Sequence, residues 1–473
     1  MTATSSARSS VRASDDNETE SFVNLINTIA SKRLPALALM LAAALNAQAK
    51  APTDQVERLG ADLTPVGAEK AASKDGTIPS WDGGLTKAPA GFDRTKGWAD
   101  PYAADKPLYT ITGANAATYK DKLAPGQLAL LKRYPSYKIV VYPTHRSAAY
   151  PAAVYESIRK EAGQADTAQD GNAVVNVTTS PVPFPIPKSG VEAIWNNAFR
   201  YRGGAVTRNV AEFPVQANGA FTPVKSREDI AFASSLKTPA PNLLFYYRTQ
   251  YNAPSSISGE ALLLHEFIDQ ARQPRAAWVY NPGTRRVLRA PEVAYDAPRN
   301  GVDGLSTADD YDGYNGAPDR FDWKLVGKKE MLVSYNNYKL TDKSLKYTDI
   351  VRPGTMNQDL MRYELHRVWV VEGTLKAGRN HIYGKRVYFL DEDSWQVVEG
   401  DLYDGRGELW RVLEQHGVQY YDAPAFWIAG SAQYDLQARR YVAGLANEEL
   451  PIVFGAPLKA ADFTTDALRR TGN

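Results

Sequence analysis

Apolar and polar positions alternate with a period of two through most of the chain beyond residue 204, and follow a helical period in only a few stretches before it. Residues 242–250 (NLLFYYRTQ), 260–268 (EALLLHEFI) and 276–288 read as consecutive strands. In the last of these Ala276, Trp278 and Tyr280 share one face, Asn281-Pro282-Gly283-Thr284 turns the chain, and residues 285–288 return it as a hairpin. Residues 363–373, 381–390, 395–403 and 408–415 continue the series, and Asp391-Glu392-Asp393-Ser394 and Asp404-Gly405-Arg406-Gly407 supply polar turns between them. A last hairpin is expected at residues 434–436 and 440–444, although alternation is poor around Gln433. Such a run of short, turn-linked strands predicts an antiparallel sheet.

The earlier part reads differently. Residues 115–133 suggest two short helices broken at Pro125-Gly126, residues 139–142 a strand, and residues 152–162 a further helix. Pro181, Pro183, Pro185 and Pro187 forbid a central strand and make a rigid connector, because proline lacks the ladder donor. Residues 192–201 form a helix with Ile194, Trp195, Ala198 and Phe199 as an apolar stripe. Residues 50–105, rich in Gly, Pro, Asp and Lys, read as an extended arm that must dock through Ile78 and Trp81. The expected organisation is an N-terminal extension at 1–49, the arm at 50–105, a helical lid at 106–204 and a curved β domain at 205–473, with 106–473 as one compact unit.

Residues 31–49 carry an export signature. Ser31-Lys32-Arg33 supply positive charge, residues 34–45 an apolar run, and Ala47-Gln48-Ala49 a small-x-small site, so cleavage after Ala49 is expected. The polar residues 1–22 are unlike a leader's basic start, which suggests translation from near Val23. The apolar run is shorter than the ~20 residues a membrane span needs, and no later stretch offers one.

Composition narrows the functions. With 473 residues, 44% hydrophobic and 11% aromatic, the chain can bury a full core. Its 55 basic and 53 acidic residues leave a net charge of +2, too small a field to favour nucleic acid or an anionic membrane. No cysteine is present, which removes disulfides, thiolate chemistry, Cys-based metal sites and a lipid anchor through an N-terminal cysteine. No GxSxG, Walker or GxGxxG motif occurs.

Three constellations could carry chemistry. His265-Glu266 begins like a zinc-protease motif but lacks the second histidine and lies in a strand, so a partly buried strand histidine is expected. The acidic loop with Asp303, Asp309, Asp310, Asp312, Asp319 and Asp322 lacks the order of a calcium loop, and reads as a solvated turn or as partners of Arg299, Arg320 and Lys324. Asp401, Asp404 and Glu408 could serve a carbohydrate-active hydrolase as paired carboxylates, but they flank a tight turn where acids are ordinary. No cofactor is implied, and no catalytic residue is assigned.

The aromatics carry the positive signal. Trp278, Tyr280, Trp323, Tyr335, Trp369 and Trp395 recur along successive strands and could wall an apolar cavity, with Arg286 beside it for a carboxylate or phosphate head group. Equally, the rings could fill a solid core, and Arg285, Arg286 and Arg289 could be exposed charges that discourage edge pairing.

At Tyr142-Pro143-Thr144-His145-Arg146, Pro183-Phe184-Pro185-Ile186-Pro187, Ile194-Trp195-Asn196, Trp278-Val279-Tyr280-Asn281-Pro282-Gly283, Asp319-Arg320-Phe321-Asp322-Trp323 and Asp404-Gly405-Arg406-Gly407 the chain resembles the domain-of-unknown-function 1329 family of proteobacterial envelope proteins. That family is similar to the outer-membrane lipoprotein-sorting carriers. The resemblance runs from about Leu59 to Leu445. It implies a mainly β fold with helices: a large curved antiparallel sheet or incomplete barrel whose concave face the helices cover. It also implies a non-catalytic periplasmic carrier for a lipid or other hydrophobic molecule, working with a resistance-nodulation-division exporter or an outer-membrane protein. An adaptor with a solid core is the alternative.

Overall fold

The computed structural model describes residues 53–471 apart from 292, 294 and 447–449; the leader expected at residues 31–49 lies outside the described residues. The described residues group as one compact unit. Among the described residues eighteen strands follow in chain order: β1 Tyr109–Ile111, β2 Ile139–Val141, β3 Asp166–Ala168, β4 Ala173–Val175, β5 Ala205–Val215, β6 Val224–Phe232, β7 Leu243–Ala253, β8 Ala261–Phe267, β9 Ala276–Asn281, β10 Arg286–Arg289, β11 Phe321–Ser334, β12 Tyr363–Leu375, β13 Lys385–Asp391, β14 Val397–Tyr403, β15 Leu409–Tyr420, β16 Ala425–Asp435, β17 Arg440–Leu445 and β18 Val453–Phe454. Sixteen of them form one sheet, and β3–β4 form a separate ribbon.

The sheet is two meanders joined side to side. One runs β5 to β10, the other β11 to β17, and β17 pairs antiparallel with β5 from Tyr441↔Val215 to Leu445↔Ala211. A parallel bridge, Val141↔Tyr363, attaches the β1–β2 hairpin beside β12. Among the described residues the two outer strands, β10 and β11, each pair on one side only, so the sheet stays open rather than closing into a barrel.

Both faces are covered, and the pleat decides what each face carries. Arg208, Glu228, Thr249, Leu262 and Val279 are register partners across β5–β9 and lie on one face, termed inner here. The next row, Thr207, Asp229, Arg248, Leu263 and Trp278, lies on the outer face. The same alternation puts Tyr388, Gly400, Leu413 and Gln433 inside, and Phe389, Glu399, Glu414 and Ala432 outside, in the other meander.

The expected lid region divides between the two faces. Helix α1, Pro125–Arg133, starts with proline at its first position, and the Gln127 side chain accepts from the Ala124 amide at 3.0 Å, which satisfies a donor the helix cannot. It buries Leu130 and Leu131 in the cluster that holds Val412, Tyr420 and Tyr434, and the Gly126 amide reaches Asp401 on the outer face. Helix α2, Ala152–Glu161, follows. Helix α3, Gly190–Phe199, is capped by Ser189 and lies over the inner ends of β11 and β12, with Ile194 packed among Tyr388, Leu390 and Trp395. The arm docks as expected through buried Ile78, while Trp81 meets the Tyr155 ring edge-on at 6.3 Å. Helix α4, Thr465–Thr471, and Phe463 close the outer face of β7–β9. No described helix is long and apolar enough to cross a membrane.

Candidate ligand cavity

Across the inner face runs the segment between β10 and β11, which is the acidic loop of the sequence. It is not a solvated turn. Asp309, Asp310 and Asp312 are all buried, and each meets donors from the sheet or from α3 and its end. Asp309 accepts from Arg386 Nη2 at 2.6 Å and lies 3.0 Å from His381 Nε2. Asp310 accepts from the Tyr383 hydroxyl and from Gln433 Nε2, both at 2.8 Å. Asp312 accepts from Arg202 Nε at 2.7 Å and Trp427 Nε1 at 2.8 Å, and pairs with Arg200 Nη2 at 2.8 Å. Burial alone would raise the Asp309 carboxyl, but Arg386 and His381 hold it down to about 2. Arg200, buried and next to Arg202, is pushed down to about 9. Of the expected partners, Arg299 pairs instead with Glu212 and Arg320 with Asp296.

The strap leaves part of the inner face uncovered by protein. Between it and β5–β9 lies a cavity of about 170 Å³, on the order of the ~150 Å³ engineered cavity that admits benzene. Its apolar wall is Ile230, Phe232, Phe245, Leu264, Leu262 and Val279, and Leu262, Val279 and Val293 are only half-buried, which marks the open side. The other wall is polar. Glu228 takes hydrogen bonds from Arg208 Nε at 2.8 Å, the Tyr247 hydroxyl at 2.8 Å and the Tyr311 hydroxyl at 2.7 Å. Arg208 lies over the Trp427 ring at 4.0 Å, and Glu228 and the Tyr311 hydroxyl keep it charged against the cost of burial.

None of the residues expected from sequence to hold a ligand lines this cavity. Trp278 and Tyr280 project from the outer face, one residue out of phase with Val279, and pack with Phe463 and Leu468. Trp323 meets Tyr314 and Tyr388 at 5.2 and 6.2 Å and donates to the Pro318 carbonyl. Trp369 stacks on Trp395 at 6.0 Å, and Trp395 donates to the Val66 carbonyl of the arm. Tyr335 stacks on His366 at 3.8 Å, in the cluster that also holds Ala124 and Ala148. Arg286 lies exposed on the edge strand β10. These aromatics fasten the arm, α3 and the C-terminal segment to the sheet. The cavity residues Ser226, Glu228, Thr249 and Tyr251 carried no signal of their own, because polar side chains at inward positions of β6 and β7 read as solvent-facing.

The remaining constellations resolve as structure. His265 and Glu266 point to opposite faces, His265 Nε2 meeting the Phe463 carbonyl at 2.8 Å and Glu266 taking Arg275 Nε at 2.6 Å. Asp401 is buried under α1 while Glu408 is exposed in its turn, so they share no cleft. His366, Asp391 and Asp393 are the one described group whose potential ligand atoms lie within 4.8 Å of one another. Arg146 already grips both oxygens of Asp393, at 2.7 and 2.9 Å.

Comparison with known proteins places the chain. Residues 110–469 match the family described as protein of unknown function (DUF1329). The uncharacterized protein PA3922 of Pseudomonas aeruginosa is 50% identical over 443 residues, which cover 92% of this chain and 97% of that protein. Three solved structures align more distantly. A domain described as of the outer-membrane lipoprotein-sorting type from Vibrio parahaemolyticus is 16% identical, covers 59% of this chain and 98% of its own, and gives a TM-score of 0.42. A DUF1329 family protein from Desulfovibrio piger is 14% identical over 56% of this chain and 92% of its own, with a TM-score of 0.40. A LolA superfamily protein from Nitrosomonas europaea is 12% identical over 59% of this chain and all of its own, with a TM-score of 0.37.

Proposed function

Since this chain belongs to the DUF1329 family, and since its sheet keeps an apolar-walled cavity under a buried strap, we propose that it is a non-catalytic binding or carrier protein of the periplasm. Its cargo is a hydrophobic molecule, a lipid or an acyl-bearing compound, of which one end enters the cavity. The leader at residues 31–49, cut after Ala49, delivers the chain there. A resistance-nodulation-division exporter or an outer-membrane protein is the partner to which cargo is passed.

The observation that carries this reading is the set Ile230, Phe232, Phe245, Leu262 and Leu264, apolar side chains that line the cavity on one side while all but Leu262 pack into the core on the other, Phe232 against Phe245 at 5.3 Å. A buried apolar group stabilises by roughly 25 cal/mol per Å² removed from water, so an unfilled apolar wall favours any ligand that covers it. Native mass spectrometry of protein taken from its own envelope is the test. Bound lipid or hydrocarbon is expected, and its loss in a Leu262→Trp variant locates it in the cavity. Repeatedly ligand-free protein would favour the second reading, an adaptor whose outer surface docks on an envelope complex. That reading is supported by how much of the inner face the strap already fills.

A further inference from the structure

We propose that the cavity selects an uncharged ligand that carries an alcohol or ester oxygen on its hydrocarbon, and excludes ionised amphiphiles; this rests on the carrier reading above. The inference comes from the pairing of charges in the wall. Three arginines line the cavity, and each is already committed to a carboxylate: Arg202 to Asp312 at 2.7 Å, Arg275 to Glu266 at 2.6 Å and Arg299 to Glu212 at 2.6 Å. Glu228 is saturated by Arg208 and two tyrosine hydroxyls. An incoming carboxylate would therefore find no uncommitted cation among the lining residues and would meet Glu212, Glu228 and Glu260 across a small space. An ammonium would have to break one of the arginine pairs to gain a full counter-charge.

Among the residues that line the cavity, one buried polar atom is left without a partner. Thr249 Oγ1 is buried with no hydrogen-bond partner, although the residue is only 3% exposed. It stands in the register row between Glu228 and Leu262, at the junction of the polar and apolar walls. Ser226 and Tyr251, themselves register partners, line the same wall beside it. A buried hydroxyl with nothing to bond costs stability, and a rotation about χ1 that brings Oγ1 to the cavity would let a ligand oxygen return it. The hydroxyl can donate to an ester carbonyl or exchange donor and acceptor roles with an alcohol, and neither requires a net charge. The hydrocarbon then lies along Leu262, Leu264 and Val279 toward the open side.

Calorimetric titration of the full chain with octan-1-ol, methyl octanoate, octanoate and octylammonium at neutral pH tests this, since the four share an eight-carbon chain. The alcohol and ester are expected to bind at least about tenfold more tightly than either ion. Thr249→Val, which keeps shape and removes the hydroxyl, should weaken the alcohol and ester about three- to tenfold, and Thr249→Ser should restore them. If octanoate or octylammonium binds as well as octanol, and Leu262→Trp abolishes it, the selectivity is overturned while the cavity reading stands. If no probe binds, or all bind the Leu262→Trp variant unchanged, the cavity reading falls and the selectivity with it.

Discussion

Arg386 is wholly buried near the start of β13 on its inner face, and its meaning depends on a carboxylate 77 positions away in the chain, Asp309, at 2.6 Å. Removing one member of such a pair leaves a buried charge without compensation, which costs far more than the pair contributes. Arg386→Met is therefore expected to lower unfolding stability in urea by about 3–5 kcal/mol, and Arg386→Met with Asp309→Leu to recover most of it. Equal losses in the single and double variants would show that the strap is not held by this pair. Residue by residue, this is where the sequence was least legible. The large rings were visible as burying groups, yet a shift of one position separates Val279 in the cavity from Trp278 outside it, and no composition reports that parity. The buried carboxylates looked like an ordinary acidic loop, because their arginine partners come from distant strands and from the end of α3.

At the scale of elements the sequence was clear where alternation and turns agree. The hairpin β9–β10, strands β7 and β8, the series β12–β15 and the helix pair broken at Pro125 all lie within a few residues of their expected positions. Strand β11 was missed because it runs along the edge, with Asp322, Lys324 and Glu330 in half-exposed or exposed positions and a register shift between Leu325 and Gly327. Its alternation serves solvent as much as core. Helix α3 shows why one small residue is needed where elements cross: a Cβ at Gly190 would lie 2.7 Å from backbone atoms of Trp323 and Lys324 in β11. Gly190→Ala should push the start of α3 off the sheet and lower the melting temperature by several degrees, corresponding to about 1–3 kcal/mol. An unchanged melting temperature would mean that α3 does not rest on β11 so closely.

The whole molecule has a pH dependence written into its outer face. Asp401, buried beneath α1, accepts from the Gly126 amide at 2.9 Å, but its second oxygen has no partner. Burial, opposed by that amide and by Lys329, raises its carboxyl from 3.8 to about 7. Glu399 and Glu414, cross-strand neighbours a residue pair away, are raised too, Glu399 by burial and then by the charge of Glu414, Glu414 by burial. At these three carboxyls the folded chain holds protons that the unfolded chain has released, so their contribution to stability is fully present below about pH 4 and falls as pH rises toward 7. Asp401→Asn should remove its share, on the order of a few kcal/mol, so that the native protein loses more stability than the variant between about pH 4 and pH 8. Parallel unfolding curves across that range would contradict it. The architecture itself was readable from alternation and from the ordered motifs of the family. The cavity was not, because it exists only where a loop fails to fill one meander's inner face.

The junction of β17 with β5 bears on how the molecule forms. Each meander is built from neighbours in the chain and can close its hairpins quickly, but the ladder that unites them, from Tyr441↔Val215 to Leu445↔Ala211, joins residues more than two hundred positions apart. Chain entropy makes such a contact late and slow. Until residue 445 is available the first meander has an unpaired edge at β5, so the growing chain passes through a stage in which two half-sheets wait for each other. The strand that locks the two half-sheets together is thus β17, near the end of the chain, with β18 closing on β5 beside it.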